Sequence, residues 1–248
     1  MAIRAMRLFG ALILGAILSR GPALASPDAP APPLPRLERQ IRADTPIRIV
    51  AFGSSSTQGV GASSAAASYP ARLQAALAAR LPVSVEVLNR GIGGQDADDM
   101  LARVPSILAD RPDLVIWQTG SNDPLRGVPL DRFAQETREG IAAFRAAGID
   151  VMLMEPQLCA RLTGAAGSDL YRMALRQIGA EMGVPVIRRY DLMRGWLDRK
   201  LITQAALMSG DGLHMADAGY AMLAEEVAQE VMSGVRLQHA ASVHASLQ

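Results

Sequence analysis

The spacing of apolar and polar residues predicts buried strands that alternate with amphipathic helices from residue 47 onward. Short apolar runs rich in β-branched residues are typical of strands that are buried on both faces. Longer stretches place their apolar residues at helical spacing. The predicted strands cover 47–52, 83–88, 114–119, 149–154 and 184–188, and the predicted helices cover 69–80, 96–109, 130–147, 169–182 and 216–233.

This alternation predicts a three-layer α/β domain. Strands joined by helical crossovers pair in parallel through right-handed connections. The simplest arrangement is a flavodoxin-like, five-stranded parallel sheet in the order 2-1-3-4-5. Such sheets bind ligands beyond the carboxyl ends of their strands, so the loops after the strands form the candidate site. Pro105 is expected to kink or interrupt the helix over 96–109.

The first 25 residues have the pattern of an export signal. Arg4 and Arg7 precede a charge-free run at 8–18, which at about eleven residues is too short to span a bilayer. The segment at 23–25, Ala-Leu-Ala, matches a small-x-small cleavage site. We therefore expect cleavage near Ala25 and a periplasmic or secreted mature protein without a membrane span. The alternative is a buried N-terminal helix.

Composition divides the rest of the chain into three parts. Residues 26–45 contain five prolines between positions 27 and 35 and are predicted to form an extended linker. The domain is expected to cover 46–234, with a loose tail at 235–248. The roughly 220 residues left after export are enough for one well-buried domain, but two such domains would be unusually small.

The charge balance excludes several classes of partner. The chain has 25 basic and 24 acidic residues, a net charge of +1. Three of the basic residues lie in the export signal, so the mature chain would carry about −2. A chain this balanced has no electrostatic surface for nucleic acid or for an anionic membrane.

Neither a metal nor a cofactor is predicted. Cys159 is the single cysteine, which excludes an intramolecular disulfide and favours a small buried apolar side chain. Clusters of Cys and His with zinc spacing do not occur in the sequence. Asp96, Asp98 and Asp99 could suggest a cation site. They are better explained by the positive end of the helix that starts there.

Short segments that contain glycine and polar residues follow the first three predicted strands, and a fourth such segment precedes the last helix. They are 53–59 (GSSSTQG), 89–94 (NRGIGG), 120–123 (GSND) and 211–214 (DGLH). Each could be a structural turn by itself, but the topology brings three of them to one edge of the sheet. His214 is the only histidine inside the domain, because His239 and His244 lie in the tail.

These residue types together indicate acyl transfer. A serine hydroxyl becomes a nucleophile when a base removes its proton, and His214 is the candidate base. Asp211 can accept a hydrogen bond from the other ring nitrogen and so fix the tautomer. Candidate donors to the developing oxyanion are the backbone N–H groups of Ser55 and Gly94 and the side-chain amide of Asn122.

The four segments resemble the motif blocks of the SGNH hydrolases, a superfamily that includes the GDSL esterases and lipases. The family's blocks are Gly-Asp-Ser-x-x-x-Gly, Asn-x-Gly-x-x-Gly, Gly-x-Asn-Asp and Asp-x-x-His, and they occur here in that order. The resemblance implies an exported serine esterase with a catalytic triad and an oxyanion hole. The implied triad is Ser55, Asp211 and His214, and the implied oxyanion hole is Ser55, Gly94 and Asn122.

One position departs from the family pattern, because Ser54 stands where the family has aspartate. That aspartate mainly shapes the turn, so the implied reaction class is retained. Alignment of the block favours Ser55 over Ser54 and Ser56 as the nucleophile. The chain also lacks the Gly-x-Ser-x-Gly elbow of α/β-hydrolases.

Several alternatives stay open on the sequence alone. An O-acetyltransferase or a deacetylase acting on sugars could use the same site, and a binding module could have lost activity. A flavodoxin-like carrier could bind flavin at the serine-rich loop, although only 4% of residues are aromatic and could stack on the ring. The expected substrate is a small-molecule or glycan-linked ester, with the segment at 155–168 forming part of the substrate wall.

Overall fold

The computed structural model describes residues 34–235. The predicted export signal, the first part of the predicted linker and the tail beyond Val235, with His239 and His244, lie outside the described residues. Within the described range, no helix has both the length and the apolar character that crossing a membrane requires.

The sheet confirms the predicted architecture. Its five strands pair in parallel in the order β2-β1-β3-β4-β5. Helices cover both faces and complete a three-layer α/β fold. The strands are β1 (Ile47–Gly53), β2 (Val85–Gly91), β3 (Leu114–Gln118), β4 (Asp150–Met154) and β5 (Val186–Ile187).

The helices alternate with the strands along the chain. Within the described residues they are α1 (Pro35–Arg42), α2 (Ser55–Gln58), α3 (Tyr69–Ala78), α4 (Ala97–Leu101), α5 (Val104–Ala109), α6 (Asp123–Arg126), α7 (Leu130–Ala146), α8 (Ala160–Thr163), α9 (Ser168–Met182), α10 (Arg189–Asp198), α11 (Gln204–Leu207) and α12 (Asp217–Gly234). A 3-10 turn covers Ala65–Ala67.

The core consists of two apolar layers, one on each face of the sheet. Side chains alternate along β1, so Ile49 and Ala51 face one layer while Val50 and Phe52 face the other. Helices α1, α3, α10 and α12 pack in the first layer, and α4, α5, α7 and α9 pack in the second. Phe52 stacks on Trp117 with ring centroids 5.6 Å apart. Burial on both faces explains why β3 and β4 are nearly continuous apolar runs.

Two strands differ in extent from their predictions. β2 covers Val85–Gly91, so residues 89–91, which the sequence placed in a loop, belong to the strand. The end of β1 supplies the pairing partners, with Gly53 aligned to the last residue of β2. β5 contains only Val186–Ile187, because the preceding Pro185 has no backbone N–H to donate.

The predicted helix over 96–109 is two helices. Pro105 lies in the first turn of α5, where its missing N–H costs nothing, and it cannot continue α4. Helices α10 and α11 were not predicted. α10 buries Met193 and Trp196, but Gly195 in its interior weakens the helical signal.

Helix α1 shows that residues 35–42 of the segment predicted as a linker (26–45) are helical rather than extended. Pro35 occupies its first turn, a position that tolerates proline, and Leu37 is fully buried. The Asp150 carboxylate accepts the backbone N–H groups of Arg36 and Leu37 at 2.9 Å each. Proline content concealed this helix, because short helices depend on tertiary packing more than on local propensity. The packed domain therefore includes α1.

Candidate active site

The carboxyl edge of the sheet brings the predicted site residues together. Ser55 is the first residue of α2, and only Ser54 separates it from β1. Asn122 immediately precedes α6 in the loop after β3, and His214 precedes α12. β1 and β3 are hydrogen-bonded neighbours, so their following loops lie side by side.

Ser55, His214 and Asp211 form a continuous chain of hydrogen bonds. His214 Nε2 lies 2.7 Å from Ser55 Oγ, and His214 Nδ1 lies 2.6 Å from Asp211 Oδ2. The histidine is buried, with 7% of its surface exposed. A proton on Nδ1, donated to the carboxylate, leaves Nε2 as an acceptor for the serine proton. This arrangement can activate the hydroxyl of Ser55.

Asp211 is held by several donors although 44% of its side chain is exposed. Its Oδ1 accepts from the backbone N–H groups of Leu213 and His214 at 2.8 and 2.9 Å and from the Ser209 hydroxyl at 2.7 Å. Burial acts to raise the pKa of Asp211, but these hydrogen bonds and the His214 ring outweigh it and hold the pKa well below its usual range. Asp211 is therefore ionised at neutral pH.

A closed turn carries Asp211 and His214. Ser209 donates its backbone N–H to the carbonyl of His214 at 2.8 Å. An isolated antiparallel bridge joins Met208 to Met215. These contacts fix the backbone on both sides of the turn, so the imidazole is held in position towards α2.

The three predicted oxyanion donors lie on neighbouring loops. Ser55 begins α2, where its backbone N–H has no intrahelical acceptor. Gly94 has a φ of +79°, and its carbonyl accepts from Arg126 Nη1 at 3.2 Å. Asn122 Nδ2 donates to the carbonyl of Gln95 at 2.7 Å, which fixes the amide beside Gly94. An amide nitrogen carries two hydrogens, so a second can be donated to a ligand.

Gly91 allows β2 to approach α2, and the loop after β2 lies beside Ser55. A Cβ at Gly91 would lie 2.0 Å from the backbone nitrogen of Gln58. A Cβ at Gly93 would lie 3.7 Å from the Cβ of Ser55, so this loop borders the serine. Gln58 Oε1 also accepts the backbone N–H of Gly93 at 2.9 Å. A side chain at Gly91 would therefore push β2 away from α2.

Ser54, which stands at the family's aspartate position, shapes the turn before Ser55. Its backbone N–H and its hydroxyl both donate to Gln118 Oε1 at 3.0 Å, and Thr57 Oγ1 donates to the same oxygen at 3.3 Å. A hydroxyl can donate to this amide oxygen, whereas an ionised carboxylate could only accept. Ser54 and Gln118 are thus complementary, and Ser55 alone of the three serines contacts the histidine.

The acidic cluster stabilises the start of α4. Asp96 accepts the backbone N–H of Asp99 at 3.1 Å within a capping box. Arg126 lies 3.0 Å from Asp96 and 2.6 Å from Asp99, and Arg132 lies 3.0 Å from Asp98. Among residues 34–235, no group of three or more His, Cys, Asp and Glu side chains is placed to hold a metal ion. The carboxylates serve the helix end and these ion pairs.

Three buried polar side chains beside the site were missed by sequence reasoning. Gln118, Gln157 and Arg189 are 0%, 3% and 0% exposed. Gln118 ends a buried strand and Gln157 follows one closely, so a polar side chain after an apolar run was the available signal. Arg189 had no such signal, because the sequence presents it as one of two adjacent arginines. Cys159 is buried, as predicted.

The segment at 155–168 lies at the same edge of the sheet and includes α8. A narrow pocket beside it is lined in part by Gln157, Leu162 and Arg172. Gly120, from the loop that follows β3, also borders this pocket. Apolar and polar groups therefore meet there, next to the loop that carries the predicted oxyanion amide.

Comparison with known proteins assigns the family. Residues 23–237 match the non-GDSL lipase-like family. The chain belongs to this family of SGNH hydrolases. The family description agrees with Ser54 at the position where GDSL enzymes have aspartate.

The relatives of this SGNH hydrolase are esterases. An arylesterase of Vibrio mimicus is 30% identical over 149 residues, which cover 60% of this chain and 70% of that protein. The thioesterase 1/protease 1/lysophospholipase L1 of Escherichia coli K12 is 25% identical over 169 residues, 68% of this chain and 76% of that protein. An acetyl xylan esterase from Geobacillus stearothermophilus shares the fold, with a TM-score of 0.64 at 24% identity over 75% of this chain and 94% of that one. The protein is a serine hydrolase of the SGNH type, which decides against the flavin-carrier alternative.

Proposed function

We propose that this SGNH hydrolase cleaves carboxylic esters through an acyl-enzyme intermediate on Ser55. The observation that carries the proposal is the chain of hydrogen bonds from Ser55 through His214 to Asp211, at 2.7 and 2.6 Å. The arylesterase and thioesterase relatives support an ester as the target bond. The substrate is a small-molecule or glycan-linked ester that enters beside the 155–168 segment.

Acylation begins with transfer of the Ser55 hydroxyl proton to His214 Nε2 while Oγ attacks the ester carbonyl carbon. The ionised Asp211 stabilises the imidazolium that forms. Negative charge collects on the former carbonyl oxygen, which accepts from the N–H groups of Ser55 and Gly94 and from the Asn122 amide. The C–O bond to the alcohol then breaks, and the alcohol takes the proton from His214.

Deacylation repeats these steps with water. His214 Nε2 removes a proton from water as the water oxygen attacks the acyl carbon, and the Ser55 Oγ leaves with that proton. A carboxylic acid is released and the serine hydroxyl is restored. A sugar hydroxyl in place of water would give O-acyl transfer, which analysis of products with an acceptor sugar present would reveal.

Covalent labelling tests the proposal. A fluorophosphonate should form an adduct that peptide mass spectrometry places on Ser55, because this hydroxyl alone contacts His214. Ser55→Ala should abolish both the label and the hydrolysis of p-nitrophenyl esters. Ser56→Ala should keep the label on Ser55. An adduct confined to Ser54 or Ser56 would contradict the assignment.

We also propose that the enzyme acts after export. The support is the basic, apolar and small-residue order of residues 1–25, which ends at Ala25. Expression of the full chain in a bacterial host should yield a mature protein whose N-terminal residue is Ser26. Replacement of Ala23 and Ala25 by arginine should leave the precursor uncleaved. A full-length protein in the cytoplasmic fraction would contradict export.

A further inference from the structure

Gln157, in the loop after β4, makes hydrogen bonds to several loops at once. Its Oε1 accepts from Arg189 Nη2 at 2.6 Å and from the hydroxyls of Ser56 and Ser121 at 3.4 Å each. Its Nε2 donates to the carbonyl oxygen of Leu213 at 3.1 Å. Only 3% of its surface is exposed, and its contacts with Arg189, Ser56 and Ser121 are shielded from water.

Each of these loop contacts lies next in the chain to a residue of the proposed machinery. Ser56 follows Ser55, Ser121 precedes Asn122, and Leu213 precedes His214. Three segments that are distant in the sequence therefore share one side chain. A displacement of Gln157 would change the positions of the nucleophile, the oxyanion amide and the base relative to one another.

The partner of Gln157 is a buried arginine. Arg189 is 0% exposed, its Nε donates to the carbonyl of Glu155 at 2.9 Å, and its Nη2 donates to Gln157. Among the described residues it forms no ion pair with a carboxylate. Burial lowers the pKa of Arg189 to about 10, which still leaves the group cationic at neutral pH. A buried cation without a counter-ion is costly, so the oxygens of Glu155 and Gln157 that accept from Arg189 are its main compensation.

A second glutamine, Gln118, extends this hydrogen-bond network, and each group in it donates to the next one. Gln118 Nε2 donates to Ser121 Oγ at 3.1 Å, and that hydroxyl donates onward to Gln157. Gln118 Oε1 accepts the backbone N–H of Ser54 at 3.0 Å. The network thus runs from the turn before the nucleophile to the turn that carries the histidine. Hydrogen bonds arranged in such a chain polarise and strengthen one another.

We propose that Gln157, oriented by Arg189, is a positioning residue that sets the distance between Ser55 and His214. The inference rests on the proposed function, since it assigns these two residues to the reaction. The decisive contact is the one from Gln157 Nε2 to the Leu213 carbonyl, because it holds the backbone next to the base. A misplacement of about 1 Å at reacting groups can lower the rate by about 100-fold.

The variant Gln157→Glu separates positioning from folding. A carboxylate keeps the acceptor for Arg189 and supplies the missing counter-ion, so the fold should be retained. It cannot donate to the Leu213 carbonyl and instead repels that oxygen. We expect kcat for a short p-nitrophenyl ester to fall by about 10- to 100-fold with KM within about threefold of the wild type. The rate of fluorophosphonate labelling of Ser55 should fall in parallel.

A control variant and the labelling of the wild type make the outcomes distinct. Ile178→Val truncates a buried side chain of α9, in the second apolar layer of the core. It should lower Tm while leaving kcat per folded molecule unchanged. If the wild type is not labelled at Ser55, the proposed function itself fails. If the wild type is labelled and Gln157→Glu is labelled at the same rate, the positioning role is wrong while the function stands. A fall in rate no larger than that of Ile178→Val would likewise overturn the positioning role.

Discussion

The side-chain amide of Asn122 donates to the carbonyl of Gln95 at 2.7 Å and still has a second hydrogen to offer. The contact with Gln95 orients the amide in advance of substrate binding. A donor fixed in this way stabilises charge that grows on the acyl oxygen without reorganising during the reaction. Its contribution should therefore appear in kcat rather than in KM.

Asn122→Ala tests this role. Removal of one oxyanion donor typically lowers kcat by about 10²–10³, roughly 2.7–4 kcal/mol, and KM should change little. Steady-state kinetics on p-nitrophenyl esters, normalised to the folded fraction, provide the measurement. A turn residue would give the opposite pattern, with lower Tm and a nearly normal kcat.

Asp123 is expected to make the stability of the enzyme depend on pH. Its side chain is fully buried, and this burial raises its pKa to about 6, despite a hydrogen bond from the backbone of Ala97 that acts to lower it. The nearby carboxylates of Asp96 and Glu136 act in the same direction as burial. The folded state therefore binds this proton more tightly than the unfolded state. Its stabilising effect is complete below about pH 4 and is lost as the pH rises through about 6.

Asp123→Asn should remove this dependence. The asparagine oxygen can still accept from Ala97, and no charge is buried above pH 6. Relative to the wild type, the variant should gain on the order of 2–3 kcal/mol in the free energy of unfolding between pH 4 and pH 8. Urea denaturation across that range measures it. A difference between the two proteins that does not vary with pH would refute the assignment.

At the scale of elements, α1 shows how a segment outside the predicted domain completes the fold. Leu34 and Leu37 are buried against the core, and the backbone N–H of Leu34 bonds the carbonyl of Gly234 at 2.9 Å. Arg36 pairs with Asp113 at 2.9 Å. These contacts join the first described helix to the last one and to the amino ends of β3 and β4.

Leu37→Ala should therefore affect stability and not catalysis. Truncation of a buried leucine costs about 2–5 kcal/mol, so Tm should fall by several degrees. Because α1 lies at the amino ends of the strands, kcat per folded molecule should equal that of the wild type. Thermal denaturation and kinetics at a temperature well below Tm give the two numbers. A loss of kcat would show that α1 influences the site.

At the scale of the whole molecule, the amino ends of the strands contribute packing contacts and the carboxyl ends carry the candidate site. The amino ends of β3 and β4 hold α1 through Asp113 and Asp150. The carboxyl ends carry the turns with Ser55 and Asn122, while the turn with His214 comes from the far end of the chain. Substrate contacts can vary at one edge while the other edge maintains packing.

Local periodicity and short motifs account for the alternation of strands and helices and for the four segments that form the site. Because these signals lie within a few neighbouring residues, the sequence alone locates the elbow at Ser55 and the turn at 211–214. It also indicates that Asp96, Asp98 and Asp99 lie at the positive end of a helix, since this interaction is local. Strand ends are less well specified, because β2 continues only where β1 provides partners.

Contacts between residues far apart in the chain account for the rest, and these arise only in the folded molecule. Asp150 caps α1 from more than a hundred residues away, and Gln157 reaches the carbonyl of Leu213 and the guanidinium of Arg189. A polar side chain buried by partners far along the chain leaves no periodic signal in its own neighbourhood. The sequence therefore marks Gln118 and Gln157 only as polar residues beside apolar strands, and the hydrogen bonds by which they support the proposed triad exist only once the carboxyl ends of the strands have met.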